Sequence, residues 1–296
     1  GRHGLHLTDL HGGDRRVQRH ALRFHTTPQG ASDATLVLVT VKSAGTAQAA
    51  RELARVLWPG AVVLSLQNGN AEVLRQALPG HTVLDGMVPF NVVNRGCGAF
   101  HRGTEGELAA QQHEGLTPYL EAFSWAGLPL QQHEEMLPVQ WAKLLLNLNN
   151  PVNALSDRPL KEQLAQRAYR RCVALAQREA LQLLDQARIR PARLTPLPPH
   201  WLPPMLSLPD ALFRRFANKM LEIDPRARSS MWEDLQAGRP TEVDWINGEV
   251  QRLAERLGRN APVNARLQQL VHAAESGGRR QWSGEDLLAE LRRAGT

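Results

Sequence analysis

Lys143 opens the run KLLLNLNNPVNALS, residues 143–156, in which an apolar helical pattern carries four asparagines and a proline. Asparagine is a mediocre helix former because its amide competes for nearby backbone groups, and an interior proline costs roughly 3 kcal/mol. With Lys143 at zero on a helical wheel, Asn147 falls at roughly +40° and Asn150 at roughly −20°, and Trp141, Leu145, Leu148, Val152 and Leu155 gather on the opposite side. Pro151 has no N–H to offer the carbonyl of Asn147, so the helix is expected to kink or end at Asn150. A lysine with neutral amides one and two turns away can hold a polar, anionic small molecule without losing its own charge, an arrangement suited to general acid catalysis. The competing reading is a solvent-facing polar stripe in which asparagine terminates the helix.

A second polar cluster lies in RSSMWEDLQAGRPTEVDWINGEV, residues 228–250. Ser230 with Glu233, and Thr241 with Asp244, have the spacing of capping boxes, which accounts for several of these side chains as helix starts. Glu242 is different, because Val243, Ile246, Val250, Leu253 and Leu257 share its side of the wheel and its carboxylate is expected to lean toward the buried face. An acid there needs a cation or donors, either a structural salt bridge or a site partner, and Lys143 is the natural candidate. In the first half, Lys42 and the tripeptide Gln67-Asn68-Gly69 follow buried strands, at the sheet edge where open α/β folds bind ligands. Lys42 could neutralise a phosphate and Asn68 could face a cofactor; a solvated strand end and a plain Asn-Gly turn are the alternatives.

The elements that must position these residues fall into two groups. Buried strands are expected over 34–42, 61–69 and 81–93, with shorter ones near 98–110 and 128–132 and helices over 44–58 and around 70–77, an alternation that predicts an open, parallel α/β sheet. Helical periodicity then dominates over 134–150, 160–189, 205–218, 229–237, 241–257, 262–275 and 283–293, interrupted by the proline-rich 190–204, which reads as an ordered surface crossing. The expected domains are 1–133, α/β, and 134–296, all-α.

No run of about 18 uncharged apolar residues suggests a membrane span. A net charge of +6 admits nucleic acid, but the arginines are spread along the chain and aromatic residues make up only 5%, too few for a stacking pattern. Nucleic acid and membrane are therefore not expected partners, and an anionic substrate or cofactor satisfies the charge equally well. Cys97 and Cys172 are far apart and the histidines lack ligand spacing, so neither a disulfide framework nor a metal site follows and a cytoplasmic setting is expected.

The segments VTVKS (39–43), SLQNG (65–69), WAKLLLNLNNPVNAL (141–155) and SSMWEDLQAGRPTEVDWINGEV (229–250) resemble, in order and spacing, the ketopantoate reductase family of NADPH-dependent 2-dehydropantoate 2-reductases. The resemblance implies a Rossmann-type NADP-binding domain, a helical domain of the 6-phosphogluconate dehydrogenase C-terminal type for substrate binding and dimerisation, and a 2-keto acid substrate in pantothenate biosynthesis. It implies Lys143 as general acid with Glu242 beside it, Asn68, Asn147, Asn150 and Ser230 as substrate-binding residues, and Lys42, Asn68 and Glu242 toward the cofactor. A homodimer is allowed. Pro151 stands where members place a second asparagine, with Asn150 one residue early, which leaves the particular keto acid open. Members also begin with a strand, a GxGxxG turn, a helix and a strand, roughly 40 residues, ahead of the segment that HGLHLTDLHGG (3–13) resembles. No GxGxxG occurs in this sequence, so the expectation is a piece of a longer reductase or, alternatively, a remnant that binds or dimerises without catalysis; a related hydroxyacid dehydrogenase is a further alternative.

Overall fold

The computed structural model describes residues 4–69, 71–216 and 227–295. Two compact units divide the chain after Met136. The first contains β1 (Leu5–Thr8), β2 (Asp14–Val17), β3 (Leu36–Val39), α1 (Thr46–Leu53), β4 (Val62–Ser65), α2 (Glu72–Ala77), β5 (Thr82–Met87), β6 (Val92–Gly96), β7 (Ala99–Arg102), β8 (Leu108–Gln111), α3 (Leu120–Trp125) and β9 (Leu130–His133).

The main sheet has the order β3-β4-β5-β8-β9. Strands β3, β4 and β5 are parallel, as the alternation of strands and helices requires. Between β5 and β8 the crossover helix is replaced by the β6–β7 hairpin, so β8 runs antiparallel to β5 and β9 runs parallel to β8. β4 reads VVLS and is buried throughout, because both faces of the sheet are covered. Val63 packs with Val39, Val83, Leu74 and Leu78 on one face, and Val62 and Leu64 with Leu84, Ala110 and Leu116 on the other. The strand expected over 81–93 is thus two strands: β5 stops at Met87, shortly before Pro89, and β6 joins a second sheet of order β2-β1-β7-β6.

The second unit is helical: α4 (Leu137–Asn147), α5 (Asn149–Ser156), α6 (Leu160–Ala165), α7 (Arg167–Gln186), α8 (Leu202–Leu206), α9 (Asp210–Phe216), α10 (Ser230–Gln236), α11 (Val243–Arg256), α12 (Pro262–Glu275) and α13 (Gly284–Ala294). The single helix expected over 160–189 is two, because Gln166 takes an extended conformation, φ −101° and ψ 119°. The helix expected over 205–218 is likewise divided, into α8 and α9; residues 217 and 218 lie outside those described.

The twenty-residue α7 is the axis of the unit, in contact with α5, α6, α8, α11, α12 and α13. Tyr169, Cys172, Val173, Ala176, Ala180, Leu183 and Leu184 form its buried stripe. Burial pushes the Cys172 thiol up to about 12, which makes it a packing residue rather than a nucleophile.

Arg170 is fully buried on the same stripe. Its guanidinium donates to the carbonyls of Leu164 at 2.9 Å, Leu206 at 3.1 Å and Leu208 at 2.7 Å, pairs with Asp210 at 2.9 Å and lies 4.1 Å from the Phe213 ring centroid. One side chain thereby satisfies the backbone ends of α6 and α8. Arg170→Ala should destabilise the protein by about 3–5 kcal/mol in denaturant unfolding, because it orphans those carbonyls and Asp210 together; a loss under about 1 kcal/mol would show that water takes over these bonds freely.

Candidate functional site

In the first unit, the site candidates sit where β3 and β4 end. Lys42 is exposed and leads into a short 3-10 turn, Ser43–Gly45, that precedes α1. The Gln67 amide Nε2 donates to the Val41 carbonyl at 2.7 Å and to Thr46 Oγ1 at 2.6 Å, and Ser43 Oγ donates to the Asn68 carbonyl at 3.2 Å. These bonds lash the two strand-end loops together and bring the Lys42 and Asn68 segments side by side. Gly69 has φ +96°, a left-handed conformation that L side chains rarely adopt, and no described atom lies within 4 Å of the position its Cβ would take. Asp85, on β5, accepts from the Ala71 N–H at 2.8 Å and from Arg75, fixing the start of α2.

In the second unit, the expected break in the Lys143 helix occurs earlier than Asn150. α4 ends at Asn147, Leu148 has φ −61° and ψ −9°, and α5 starts at Asn149. Pro151 therefore falls in the first turn of a new helix, where its missing N–H costs nothing, instead of inside an old one. Buried Gln177, on α7, donates to the Leu145 carbonyl at 3.0 Å and so serves the end of α4. Lys143 and Asn147 lie one turn apart on α4 and both are half-buried, as is Asn150 on α5. Burial holds the Lys143 ammonium below its ordinary value of 10.5.

Sequence reasoning passed over Asn153, although it organises this region. Fully buried, its Oδ1 accepts from the Ser229 N–H at 2.9 Å and its Nδ2 donates to the Arg158 carbonyl at 2.9 Å. Ser229 Oγ lies 3.4 Å from the Asn150 carbonyl and accepts from the Trp232 N–H at 3.2 Å. Ser229, not Ser230, is thus the cap of α10: its extended backbone, φ −75° and ψ 153°, aims the hydroxyl at the helix start. Ser230 becomes the first helical residue, is exposed, and sits beside the Asn150 segment of α5. Asp157 closes α5 with φ +52° and accepts from Trp232 Nε1 at 2.6 Å and Gln281 Nε2 at 3.0 Å. Burial opposes its charge, but those bonds and the Arg280 and Arg228 charges outweigh it and keep the carboxyl below its usual range.

Glu242 is half-buried in the residue preceding α11. The expected Thr241–Asp244 box does not form. Thr241 Oγ1 accepts from the Val243 N–H at 3.3 Å and the Thr241 N–H donates to Glu275 Oε1 at 2.7 Å, while Asp244 turns to α12 and meets His272 Nε2 at 2.8 Å. His272 Nδ1 meets Glu275 Oε2 at 2.7 Å, so one imidazole bridges two carboxylates and pins the segment carrying Glu242 to α12, which itself packs on α5. Periodicity carries no signal for such a clamp; the i, i+3 pair His272–Glu275 was the only sequence clue.

Comparison with known proteins adds an independent line. Residues 1–115 match the family described as ketopantoate reductase PanE/ApbA, and residues 135–275 match its C-terminal counterpart, ketopantoate reductase PanE/ApbA C terminal. The chain belongs to the ketopantoate reductase family. It is an oxidoreductase that uses a nicotinamide cofactor. A 2-dehydropantoate 2-reductase of Halobacterium salinarum is 29% identical over 269 residues, covering 86% of this chain and 80% of that protein. A PanE/ApbA family ketopantoate reductase from Ralstonia eutropha JMP134 superposes with a TM-score of 0.76 at 27% identity, over 93% of this chain and 86% of that one. D-mandelate dehydrogenase, solved with NADH and anilino(oxo)acetate, shares the fold at a TM-score of 0.74 and 18% identity, over 93% of this chain and 86% of its own. Among the described residues no helix is long and apolar enough to cross a membrane, and no group of histidine, cysteine and acidic side chains could hold a metal ion.

Two outcomes follow for this ketopantoate reductase. Asn153→Ala leaves the Ser229 N–H and the Arg158 carbonyl without their buried partner and should cost about 1–3 kcal/mol in denaturant unfolding, whereas an unchanged midpoint would show that the α5–α10 junction is held elsewhere. The His272 clamp has a definite pH signature. Burial opposes the imidazolium, but hydrogen bonds to Glu275 and Asp244 prevail and raise its pKa above 6.5. A raised folded-state value adds stability that is present below about pH 6.5 and lost as pH climbs through the folded value. Glu275 is also inside the clamp: burial raises its pKa, but the His272 and Thr241 bonds lower it overall, so its contribution fades as pH falls below about 4.5. The stability difference between wild type and His272→Gln should therefore be largest between about pH 4.5 and 6.5 and shrink as pH rises above about 6.5, with a size under about 1 kcal/mol because the ring is partly exposed; urea unfolding at stepped pH measures it.

Proposed function

We propose that this chain reduces 2-dehydropantoate (ketopantoate), or a close 2-keto acid, to the 2-hydroxy acid with NADPH, in pantothenate biosynthesis. The observation that carries the reading is Lys143: a half-buried ammonium below its ordinary pKa, with Asn147 one turn away, inside the segment that matches the family.

The strand-end loops fit a nicotinamide cofactor. Lys42 offers an exposed cation for a phosphate, which favours NADP, the Asn68 segment is held next to it, and the bare backbone at Gly69 permits close approach. The cofactor supplies the hydride. Lys143 gives its ammonium proton to the substrate's carbonyl oxygen as negative charge develops there, so the product leaves as a neutral alcohol rather than an alkoxide. Partial burial makes that proton easier to release than from a solvated lysine. Asn147 and Asn150 offer uncharged amides, and Ser230 a hydroxyl, to the substrate's own hydroxyl and carboxylate. Glu242 is the acid that this reading pairs with the lysine, and the Thr241–Glu275–His272 clamp fixes its backbone.

Incubating the protein, expressed as its own gene encodes it, with NADPH and ketopantoate should consume NADPH in a substrate-dependent way. Lys143→Ala should lower kcat by about 10²–10⁴-fold, with thermal unfolding used to check that the variant is folded. Absence of turnover, or full turnover by Lys143→Ala, would refute the assignment.

A further inference from the structure

α7 presents a second face whose chemistry the reductase reading does not use. Arg167, Arg171, Leu175 and Arg178 follow one another at helical spacing, and together with Leu288 and Arg292 of α13 they line a cavity of about 150 Å³. Arg167 Nε is anchored by the Ser207 carbonyl at 3.0 Å. Arg171, half-buried at the centre, has its pKa lowered by burial first and then by the charges of Arg292 and Arg167, with Arg178 adding to it. Glu285 acts on Arg171 in the opposite sense, yet among the described residues no carboxylate lies within 4.0 Å of any of the four guanidinium groups.

Several other arginines of the helical unit do have an acid beside them: Arg252 and Arg256 share Glu249, Arg266 holds Glu290, and Arg279 holds Asp286. Four like charges around one concavity repel each other, and an anion seated among them would relieve that repulsion. Guanidinium forks match phosphate oxygens two at a time, and four cations exceed what a single carboxylate could neutralise. Leu175 and Leu288 add an apolar wall on which an organic group can rest.

We propose that the α7–α13 cavity is a binding site for a small molecule bearing a diphosphate or polyphosphate group, separate from the residues assigned to keto acid reduction. The proposal does not rest on that assignment. Its central residue is Arg171, with Arg178 and Arg292 closing over the phosphates from the two helices.

Isothermal titration of the intact protein with inorganic pyrophosphate at physiological salt tests it. One site with a Kd below about 1 mM is expected, tighter than for inorganic phosphate and weakened about tenfold or more by Arg171→Gln or by Arg178→Gln. Arg178 and Arg292 are exposed, so Arg178→Gln and Arg292→Gln keep the test open should Arg171→Gln fail to fold, as judged by thermal unfolding without ligand. Arg259→Gln, an exposed arginine outside the cavity, and Lys42→Ala, at the strand-end loop of the first unit, should leave the affinity unchanged. No heat at millimolar pyrophosphate beyond that of sodium chloride at matched ionic strength would overturn the proposal. So would an unaltered affinity in the Arg171→Gln/Arg178→Gln double variant, or loss of binding in Lys42→Ala.

Discussion

The helical unit depends on interrupting a buried helix without leaving its backbone unsatisfied. α4 stops at Asn147 and α5 restarts at Asn149, with Pro151 forbidding one continuous helix through the core. Each backbone group freed inside a core costs about as much as a lost hydrogen bond, so such a break survives only where side chains replace the missing partners. Gln177 from α7 serves the carbonyl of Leu145, and Asn153 joins α5 to the start of α10 and to Arg158. The asparagines and glutamines that look wasteful in an apolar run are the means by which the chain changes course. Lys143 and Asn147 end on the last turns of α4, Asn150 on the first turn of α5, and Ser230 on the helix that Asn153 anchors.

Much of the fold was legible because its signals are local. VLVTV and AVVLS are β-branched runs long enough for buried parallel strands, and they became β3 and β4; 262–275, with Pro262 at its first position, became α12 residue for residue. The second sheet was not legible. DRRV is mostly charged and exposed, and β1 finds its parallel partner β7 more than ninety residues later, a pairing that no local pattern encodes. The division between α6 and α7 was equally silent, since Gln166 is a good helix former that turns extended only in its tertiary setting.

For the proposed site, residue type and spacing mark Lys143, Asn147 and Glu242 as candidates, because charged and amide groups on an apolar helix face are conspicuous. What escaped was the support around them. Ser229 and Ser230 are adjacent and chemically identical, so only backbone conformation decides which one caps α10. Asp244 looked like a capping acid but is drawn to His272, twenty-eight residues further on. Asn153 differs from its three neighbours in the run only by being fully enclosed, and enclosure is a property of the assembled helices.

The central claim is that this broken, amide-stitched helix places the Lys143 ammonium where water is scarce and its proton is easily given up. The direct measurement is an NMR titration of the Lys143 side chain in the intact protein, with the signal assigned by its loss in Lys143→Arg. The account predicts a midpoint below the ordinary lysine value of 10.5. A midpoint at or above that value would mean that Lys143 is solvated or ion-paired like any surface lysine, and the acid role built on its burial would fall with it.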